Sequence, residues 1–359
     1  MELKYKNILI ISPEPWNHIF VSKHHYATHL AKRGNKVFFL NPPSDVNEYT
    51  LTDFENLYSV NYTGFIKGLR VLPNFIQKRL IARKFQKIQK LCQVQFDIVW
   101  SFDNSVFFDL SLLPKSVYRI SHIVDWNQDF EFQNASITAD LCFASSFNIV
   151  EMQRKFNSNS YNIGHGYNKI VDKVKPLKLK GNSIINFGYT GNLDIQYIDW
   201  ELIDKLIRVF PNVDFHFAGQ WKSKASFPNI YNSQNFYYYG KLPANDLPSF
   251  YESMDLLMIL YQYEKFPEQL ANPHKMMEYL GSGKMIVSSW TEEYSKLSAK
   301  GLIKMIQNKK EFISELDEVK SNLEYWNKND LRNSRIDFAN QNTYNKLINK
   351  IEKLLINGG

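Results

Sequence analysis

The segment from residue 271 to 290, ANPHKMMEYLGSGKMIVSSW, holds the residue types that best suit an anionic ligand. Asn272 is a favoured N-cap, and Pro273 suits the first helical position because its missing N–H is not needed there. The free N–H groups and the dipole at such a helix start attract a diphosphate. Glu278, further along the same helix, can accept hydrogen bonds from ribose hydroxyls. We therefore predict a site for a sugar nucleotide; an ordinary capped helix with a surface glutamate is the alternative.

The first half of the chain alternates strand-sized apolar runs with helical or polar sequence. A helix is predicted over 22–33, where Gly34 ends it. The strand-sized runs are NILIIS (7–12), KVFFLNPP (36–43), FDIVWSF (96–102), SVYRIS (116–121) and ADLCFASS (139–146). This order predicts a mostly parallel sheet covered by helices on both faces.

The alternation restarts at IINFGYTG (184–191), after a lysine-rich stretch over 169–183 that is typical of a linker. Helices are then predicted over 199–209 and 246–253, and strands over 213–219, 236–240, 255–260 and 285–289. Two such halves predict an α/β fold with two Rossmann-like domains facing a cleft, with ligands at the carboxyl ends of the strands. The predicted bounds are 1–167 and 168–335, and a C-terminal helix within 336–359 is expected to pack back on the first domain.

Composition narrows the class of protein. The chain has 359 residues, of which 44% are hydrophobic, enough to bury two cores. The two cysteines, Cys92 and Cys142, are too few for a disulfide framework, and we expect them to be reduced and buried. No apolar run approaches the roughly 20 residues that a membrane span needs. We expect a cytoplasmic protein, and its formal net charge of +7 favours an anionic partner.

Several other chemistries lack their motifs. His25 and His29 have the spacing of H-E-x-x-H, but Tyr26 stands where that motif has glutamate, so a zinc protease is not indicated. No G-x-G-x-x-G follows the first strand and no clean D-x-D motif is present, so we expect neither a dinucleotide cofactor nor a bound metal. Nucleic-acid binding is not expected either, because the densest basic cluster has helical spacing.

That basic cluster spans residues 65–91, FIKGLRVLPNFIQKRLIARKFQKIQKL, with eight Lys or Arg and no acid. Its apolar residues recur near helical spacing, among them Phe75, Ile81, Phe85 and Ile88. The cations Arg79, Arg83, Lys84 and Lys87 lie around this stripe. A basic amphipathic helix is typical of a protein that binds an anionic membrane surface or a partner. The alternative is a surface helix whose stripe faces its own domain.

PHKMMEYLGSGKMIVSS (273–289) is similar to the P-x-x-x-x-E-A/Y-x-x-x-G-x-P-V-V segment of GT-B glycosyltransferases, especially the family 4 retaining enzymes. FGYTGNLDIQYIDWELI (187–203) resembles their first C-domain strand and glycine loop, and NIGHGYN (162–168) resembles their interdomain turn. The resemblance covers 139–290 and extends more weakly over 7–43, which is like the acceptor domain of capsule and cell-wall members. It implies the GT-B fold and a nucleotide-sugar donor.

The resemblance also implies site residues. Glu278 corresponds to the acid that binds the nucleotide ribose, and Leu270 stands where the family's E-x7-E motif has its first glutamate. Asn192 and Tyr197 stand where the family has its phosphate-binding Arg and Lys. Lys275, Lys222 or His274 is expected to supply that charge instead. The implied donor-binding set is Gly188, Gly191, Asn192, Asn272, Pro273, His274, Lys275 and Glu278.

In the first domain, YRISHIVDWNQDF (118–130) ends a strand and enters a loop that faces the donor sugar in the resembled enzymes. His122 and Asp125 are the catalytic candidates there; the alternative is a strand-end cap with Trp126 packed beside it. Retaining transfer needs no protein base if the leaving phosphate takes the acceptor proton, so the enzyme mainly positions and stabilises charge.

Together these features predict a glycosyltransferase that moves a sugar from a nucleotide-sugar to a lipid-linked glycan acceptor in surface polysaccharide synthesis, at the inner face of the membrane. The nucleotide-sugar is a substrate, and no cofactor is expected. Two alternatives stay open: a GT-B-like sugar-nucleotide epimerase, and a catalytically silent protein that binds a sugar or nucleotide.

Overall fold

The computed structural model describes residues 1–105, 107–124, 132–169, 174–267 and 272–357. Asp125 and Leu270 therefore lie outside the described residues. The chain divides into two units, Met1–Gly166 with Tyr344–Gly359, and Tyr167–Thr343. The C-terminal segment that belongs to the first unit begins at Tyr344, whereas the sequence predicted that it begins at residue 336.

The described part of the first unit is built on an eight-stranded sheet with the order β3-β4-β2-β1-β5-β6-β7-β8. Its neighbouring strands are parallel except for the edge pair β3 and β4. The strands are β1 (Asn7–Ile11), β2 (Lys36–Leu40), β3 (Glu48–Leu51), β4 (Leu57–Asn61), β5 (Ile98–Ser101), β6 (Tyr118–Ile123), β7 (Leu141–Ala144) and β8 (Ser160–Asn162). The central strands are continuous apolar runs because helices cover both faces of the sheet.

The described residues before 167 form the α-helices α1 (Ser22–Ala31), α2 (Asn74–Cys92), α3 (Phe132–Thr138) and α4 (Phe147–Arg154). Cys92, at the end of α2, and Cys142, in β7, are both buried, as expected, and burial raises the pKa of each thiol to about 12. Neither thiol is therefore ionised near neutral pH.

The described part of the second unit is built on a six-stranded, fully parallel sheet with the order β11-β10-β9-β12-β13-β14. Its strands are β9 (Ile185–Thr190), β10 (Val213–Ala218), β11 (Phe236–Tyr238), β12 (Leu256–Ile259), β13 (Met285–Ser289) and β14 (Lys304–Ile306). The chain reverses direction across the sheet between β9 and β12, and such a switch point opens a crevice at the carboxyl ends of the strands.

The helices of this unit are α5 (Trp200–Val209), α6 (Pro228–Tyr231), α7 (Leu247–Glu252), α8 (Lys275–Ser282), α9 (Ser295–Ala299), α10 (Phe312–Ser321), α11 (Leu323–Trp326) and α12 (Asn329–Gln341). Helix α5 begins as predicted because the Asp199 side chain accepts a hydrogen bond from the Leu202 N–H at 3.0 Å. Its apolar face, which includes Leu202 and Leu206, is buried in the core.

Helix α12 packs on α8, and it carries the buried Arg335. The Arg335 guanidinium donates to the carbonyl oxygens of Leu302 at 2.6 Å, Gly283 at 3.1 Å and Trp326 at 2.8 Å. Burial lowers the pKa of Arg335 to about 10, so the group stays cationic near neutral pH. Arg335 thereby ties α12 to Gly283, the residue that ends α8, and to the chain at Leu302 and Trp326.

The last helix, α13 (Tyr344–Asn357), belongs to the first unit and packs against α1. The Tyr344 ring stacks on that of His25, with 4.8 Å between the ring centroids. Leu347, Ile348 and Ile351 are buried in the same core as strand β1. His25 therefore supports the packing of α13.

Candidate functional site

Glycines end the first three strands of the second sheet and bring their loops into close contact. Gly191 follows β9 with φ of 143°, and Gly219 follows β10 with φ of 144°, a conformation that L side chains rarely adopt. A Cβ on Gly219 would lie 1.7 Å from the Gly191 carbonyl oxygen. The Gly219 N–H donates to the Gly240 carbonyl at 2.7 Å. These loops pack backbone against backbone, and the Gly191 loop, which follows β9, lies at the switch point.

Gly188 lies inside β9 rather than in the loop. It is buried, and a Cβ there would lie 2.5 Å from Cγ of Met254. The small residue is explained by core packing, so Gly188 does not fit the predicted donor-binding set. Gly191 and the exposed Asn192 do lie in the loop that follows the strand.

A cation lies directly against this glycine loop. The Lys275 ammonium, from the first turn of α8, donates to the Tyr189 hydroxyl at 2.7 Å and lies 3.9 Å from the centroid of that ring. A Cβ on Gly191 would lie 2.5 Å from Lys275 Nζ. Lys275 thus places a positive charge where Asn192 and Tyr197 provide none, and an ammonium group suits phosphate oxygens.

The start of α8 differs from the prediction. The helix begins at Lys275 with His274 as its N-cap residue, and no side chain caps it. Asn272 was expected to be the N-cap, but its Oδ1 accepts from the Tyr294 hydroxyl instead. Pro273 precedes the helix, and its carbonyl accepts from the Met276 N–H at 3.0 Å. The capping prediction was wrong because a tertiary hydrogen bond takes the capping side chain.

Glu278 lies one turn into α8, half-buried, near the end of β9. Its Oε2 accepts from the Tyr251 hydroxyl at 2.8 Å, and that hydroxyl lies 3.1 Å from Thr190 Oγ1. Burial raises the pKa of Tyr251 well above its usual value, so the phenol keeps its proton. The tyrosine therefore fixes the carboxylate beside Thr190, the last residue of β9.

Lys275 and Glu278 are three residues apart on one helix, so they lie on the same side of it. Lys275 contacts the loop at Gly191, and Glu278 is tied through Tyr251 to Thr190. The arrangement pairs a cation for phosphate with a carboxylate for hydroxyl groups along the carboxyl edge of β9.

Four tyrosines that organise this edge were not predicted from the sequence. Tyr189, Tyr251, Tyr261 and Tyr279 are buried, and each hydroxyl lies within hydrogen-bond distance of another polar group. Their positions in apolar runs predict only core packing. Which polar groups their hydroxyls meet depends on the tertiary structure.

His122 lies within β6, not in the loop after it. Its ring is buried among Trp100, Phe102 and Phe143, and its Nδ1 accepts from the Trp100 indole N–H at 3.3 Å. Burial lowers the pKa of His122 to about 3, so it is neutral near pH 7. This packing does not present His122 to a substrate, which corrects the predicted loop position. Asp125, its predicted partner, is among the residues that are not described.

The basic helix α2 turns its apolar stripe inward. Ile81, Phe85 and Ile88 are buried in the core of the first unit, so the alternative interpretation of the stripe is correct at these positions. Lys84 Nζ donates to the carbonyl oxygens of Thr63 at 2.5 Å and Gly64 at 3.0 Å, and burial lowers the pKa of its ammonium. Lys84 is therefore a local structural contact.

The exposed apolar side chains lie before and at the start of α2. Ile66 is 60% exposed, Val71 86% and Phe75 72%. Arg79, Arg83 and Lys87 are exposed on the helix itself. No helix within the described ranges is long and apolar enough to cross a bilayer.

No protein-family model matches the sequence, and no curated protein does. Solved structures do match its fold. A sucrose-phosphate synthase from Thermosynechococcus elongatus superposes with a TM-score of 0.72 at 10% identity over 98% of each chain. The lipopolysaccharide outer core galactosyltransferase WaaB, in its apo form, gives 0.66 at 15% identity over 98% of this chain and 99% of that one.

Anabaena Alr3699/HepE in complex with UDP-glucose gives a TM-score of 0.66 at 12% identity, over 98% of this chain and 100% of that one. These similarities extend over both units. They confirm the predicted fold class, an α/β fold of the GT-B type with two Rossmann-like domains.

Proposed function

We propose that this chain is a glycosyltransferase that uses a nucleoside-diphosphate sugar. The observation that carries the proposal is the pairing of Lys275 and Glu278 on one helix at the end of β9. The Lys275 ammonium lies against Gly191, and Glu278 is held beside Thr190 by Tyr251. A diphosphate at the first position and a ribose at the second would match this order of charges.

In this proposal the Lys275 ammonium meets the diphosphate and stabilises the negative charge that grows on it as the bond to the sugar breaks. Glu278 accepts hydrogen bonds from the ribose and fixes the nucleotide along the strand edge. As the bond between the anomeric carbon and the phosphate oxygen breaks, the acceptor hydroxyl bonds to that carbon from the same face and gives its proton to the departing phosphate. Attack from this face retains the anomeric configuration, and the phosphate replaces a protein base. The role of the protein is to hold the donor sugar and the acceptor hydroxyl in the orientation in which they react.

The structural comparisons support a nucleotide sugar as donor. One similar fold was solved with UDP-glucose bound, and two others are a galactosyltransferase and a sucrose-phosphate synthase. Each of these names describes sugar transfer or the binding of a nucleotide sugar.

The test is nucleotide binding followed by turnover. Thermal shift with UDP-, GDP-, ADP- and CMP-sugars identifies the donor, and calorimetry then compares Lys275→Ala with Lys222→Ala. Lys222 is an exposed lysine of the same unit, so it is the matched control. We expect Lys275→Ala to weaken binding of the diphosphate about 10-fold or more, the loss of one charge-assisted hydrogen bond, and Lys222→Ala to bind normally. The reverse result would assign the phosphate site to Lys222 and refute this geometry.

Two alternatives share the same donor site. Asn192 and Tyr197 at the positions of the family's basic residues favour a protein that binds the nucleotide without transferring its sugar. An epimerase would convert the nucleotide sugar with no acceptor present. Product analysis with and without acceptor separates all three, because only a transferase needs the acceptor to release a glycosylated product.

For the acceptor, we propose a lipid-linked glycan of surface polysaccharide synthesis, reached by docking on an anionic membrane. The exposed Ile66, Val71 and Phe75 support this proposal, with Lys78, Arg79 and Arg83 exposed nearby in sequence. Each cation near an anionic leaflet contributes at most about 1 kcal/mol, so binding should be reversible and sensitive to salt.

The check is cosedimentation with vesicles that contain or lack anionic lipid. Val71→Ser with Phe75→Ser should reduce binding without a loss of stability, because both side chains are exposed. Ile356→Ser is the control, since Ile356 is 57% exposed on α13 of the same unit. If the wild-type protein does not sediment with anionic vesicles at low salt, docking on an anionic membrane is excluded as the route to the acceptor.

A further inference from the structure

The second unit contains a cavity of about 880 Å³ next to the candidate nucleotide site. It lies at the carboxyl ends of four strands, β9, β12, β13 and β14. Its walls are formed by residues within 193–202, 223–227, 261–267, 289–290 and 306–312. A cavity of this volume falls within the range of ligand sites, and we call it the aromatic cleft.

Four aromatic side chains of the cleft are only half-buried: Trp200, Phe227, Tyr263 and Trp290. The Trp200 ring is held in place by the buried Trp221, on which it stacks with 4.8 Å between the ring centroids and 5° between the ring planes. Tyr263 and Trp290 meet edge to face at 5.4 Å. The cleft therefore offers rigid apolar surfaces, and a ligand that covers them would be stabilised by the hydrophobic effect.

The charges of the cleft oppose a second phosphate site. Four carboxylates line it (Asp194, Asp199, Glu201 and Glu264), against two ammonium groups, Lys265 and Lys309. Lys309 is occupied by two of these acids, with its Nζ 2.8 Å from Asp199 and 3.4 Å from Glu201. The lining is net negative in a chain with a formal net charge of +7, and an anionic ligand would be repelled.

The remaining polar groups can both donate and accept. Gln196, Gln262 and Gln307 are among the residues that line the cleft, and a glutamine side chain offers an acceptor oxygen and an N–H₂ donor. The Gln262 amide donates to the Ile198 carbonyl at 3.0 Å, which fixes its orientation. Aromatic faces beside planar amides and carboxylates match a ligand with apolar faces and a rim of hydroxyl groups.

We propose that the aromatic cleft binds an uncharged saccharide chain. The C–H faces of pyranose rings would cover Trp290 and Tyr263, and the ring hydroxyls would meet the glutamine amides and the carboxylates. The cleft shares Tyr261 with the nucleotide site, where Lys275 Nζ lies 5.2 Å from the Tyr261 ring centroid. Saccharide binding here requires neither nucleotide nor turnover, so it goes beyond the proposed transferase activity.

The test uses saturation-transfer NMR and calorimetry on the full chain. The probes are short linear oligosaccharides of glucose, galactose, mannose and N-acetylglucosamine, with UDP as the anionic comparison. We expect one or more of the saccharides to bind, with little dependence on salt. Removal of one stacking surface in Trp290→Ala or Tyr263→Ala should weaken that binding about 10-fold, because the apolar area covered is lost.

Tyr325→Ala is the matched control, since Tyr325 is an exposed aromatic residue elsewhere in the same unit. It should bind the saccharide normally, and Trp290→Ala should bind nucleotide as the wild type does, which shows that the unit is folded. The proposal is overturned if no saccharide of the panel binds, if binding persists in the Trp290→Ala, Tyr263→Ala double variant, or if UDP displaces the saccharide. These results are independent of whether transfer occurs.

Discussion

Replacing Glu278 by alanine tests the candidate nucleotide site most directly. A carboxylate offers about four acceptor positions, and Tyr251 occupies one of them at 2.8 Å. Glu278 thus has capacity for both hydroxyls of a ribose. A hydrogen bond to a charged group is worth about 1.5–3 kcal/mol, so Glu278→Ala should weaken nucleotide binding about 12- to 140-fold.

The second variant in this test is Tyr251→Phe, which keeps the carboxylate but removes the group that orients it. We expect a smaller loss of about 0.5–1.5 kcal/mol in binding, because the acceptor itself is still present. In the double variant the two losses should not add, since Tyr251 acts on the ligand only through Glu278. Additive losses would mean that Tyr251 contacts the nucleotide independently.

Isothermal calorimetry with the donor nucleotide measures these affinities, and thermal unfolding confirms that each variant is folded. Glu324→Ala, which removes an exposed acid from α11 of the same unit, is the control. Unchanged affinity in a folded Glu278→Ala protein would show that Glu278 does not bind the ribose, and the order of phosphate and ribose along β9 would then be wrong.

Two further predictions concern stability. Arg335→Met should lower the free energy of unfolding by about 3 kcal/mol or more, because two buried carbonyls and one partly buried carbonyl lose their donor. Arg208→Met, at an exposed arginine, should lower it by less than about 0.5 kcal/mol in denaturant titrations. Burial lowers the pKa of His122 to about 3 and those of His24 and His216 to about 4. Below about pH 6.5 the unfolded chain therefore binds protons that the folded chain does not. The free energy of unfolding should decrease as the pH falls from about 6.5 towards 4, by up to about 1.4 kcal/mol per pH unit for each histidine. Urea titrations at pH 7 and pH 5 should show a smaller loss in His122→Phe; an equal loss would mean that His122 is not protected from protonation.

The central strands were predictable because both faces of each are buried, which leaves a continuous apolar run. Strand β13, Met285–Ser289, was predicted with its exact bounds. The edge strand β3 and its neighbour β4 were missed. Strand β3, Glu48–Leu51, reads EYTL and is mostly exposed, so its pairing with β4 depends on backbone hydrogen bonds that composition does not reveal.

The stripe of α2 shows a different limit of sequence reasoning. Ile81, Phe85 and Ile88 have the spacing of an amphipathic helix, and that spacing is the same whether the apolar face meets lipid or protein. The structure covers these three side chains with the first unit's own core. Phe75, in the first turn of the helix, belongs to the same spacing but is 72% exposed, and the exposed Val71 precedes the helix.

The position of Lys275 shows why the sequence named several candidate cations for the proposed phosphate site but could not choose among them. In the resembled enzymes the cations follow the first strand of the second domain, at the positions that Asn192 and Tyr197 occupy here. The structure supplies one 86 residues after Tyr189, because the parallel pairing of β9 with β12 brings their carboxyl ends together. The helix that follows β12 therefore starts beside Gly191. A cation in its first turn reaches the glycine loop as directly as one carried by the loop itself, so the departure from the family's pattern does not by itself remove the phosphate site.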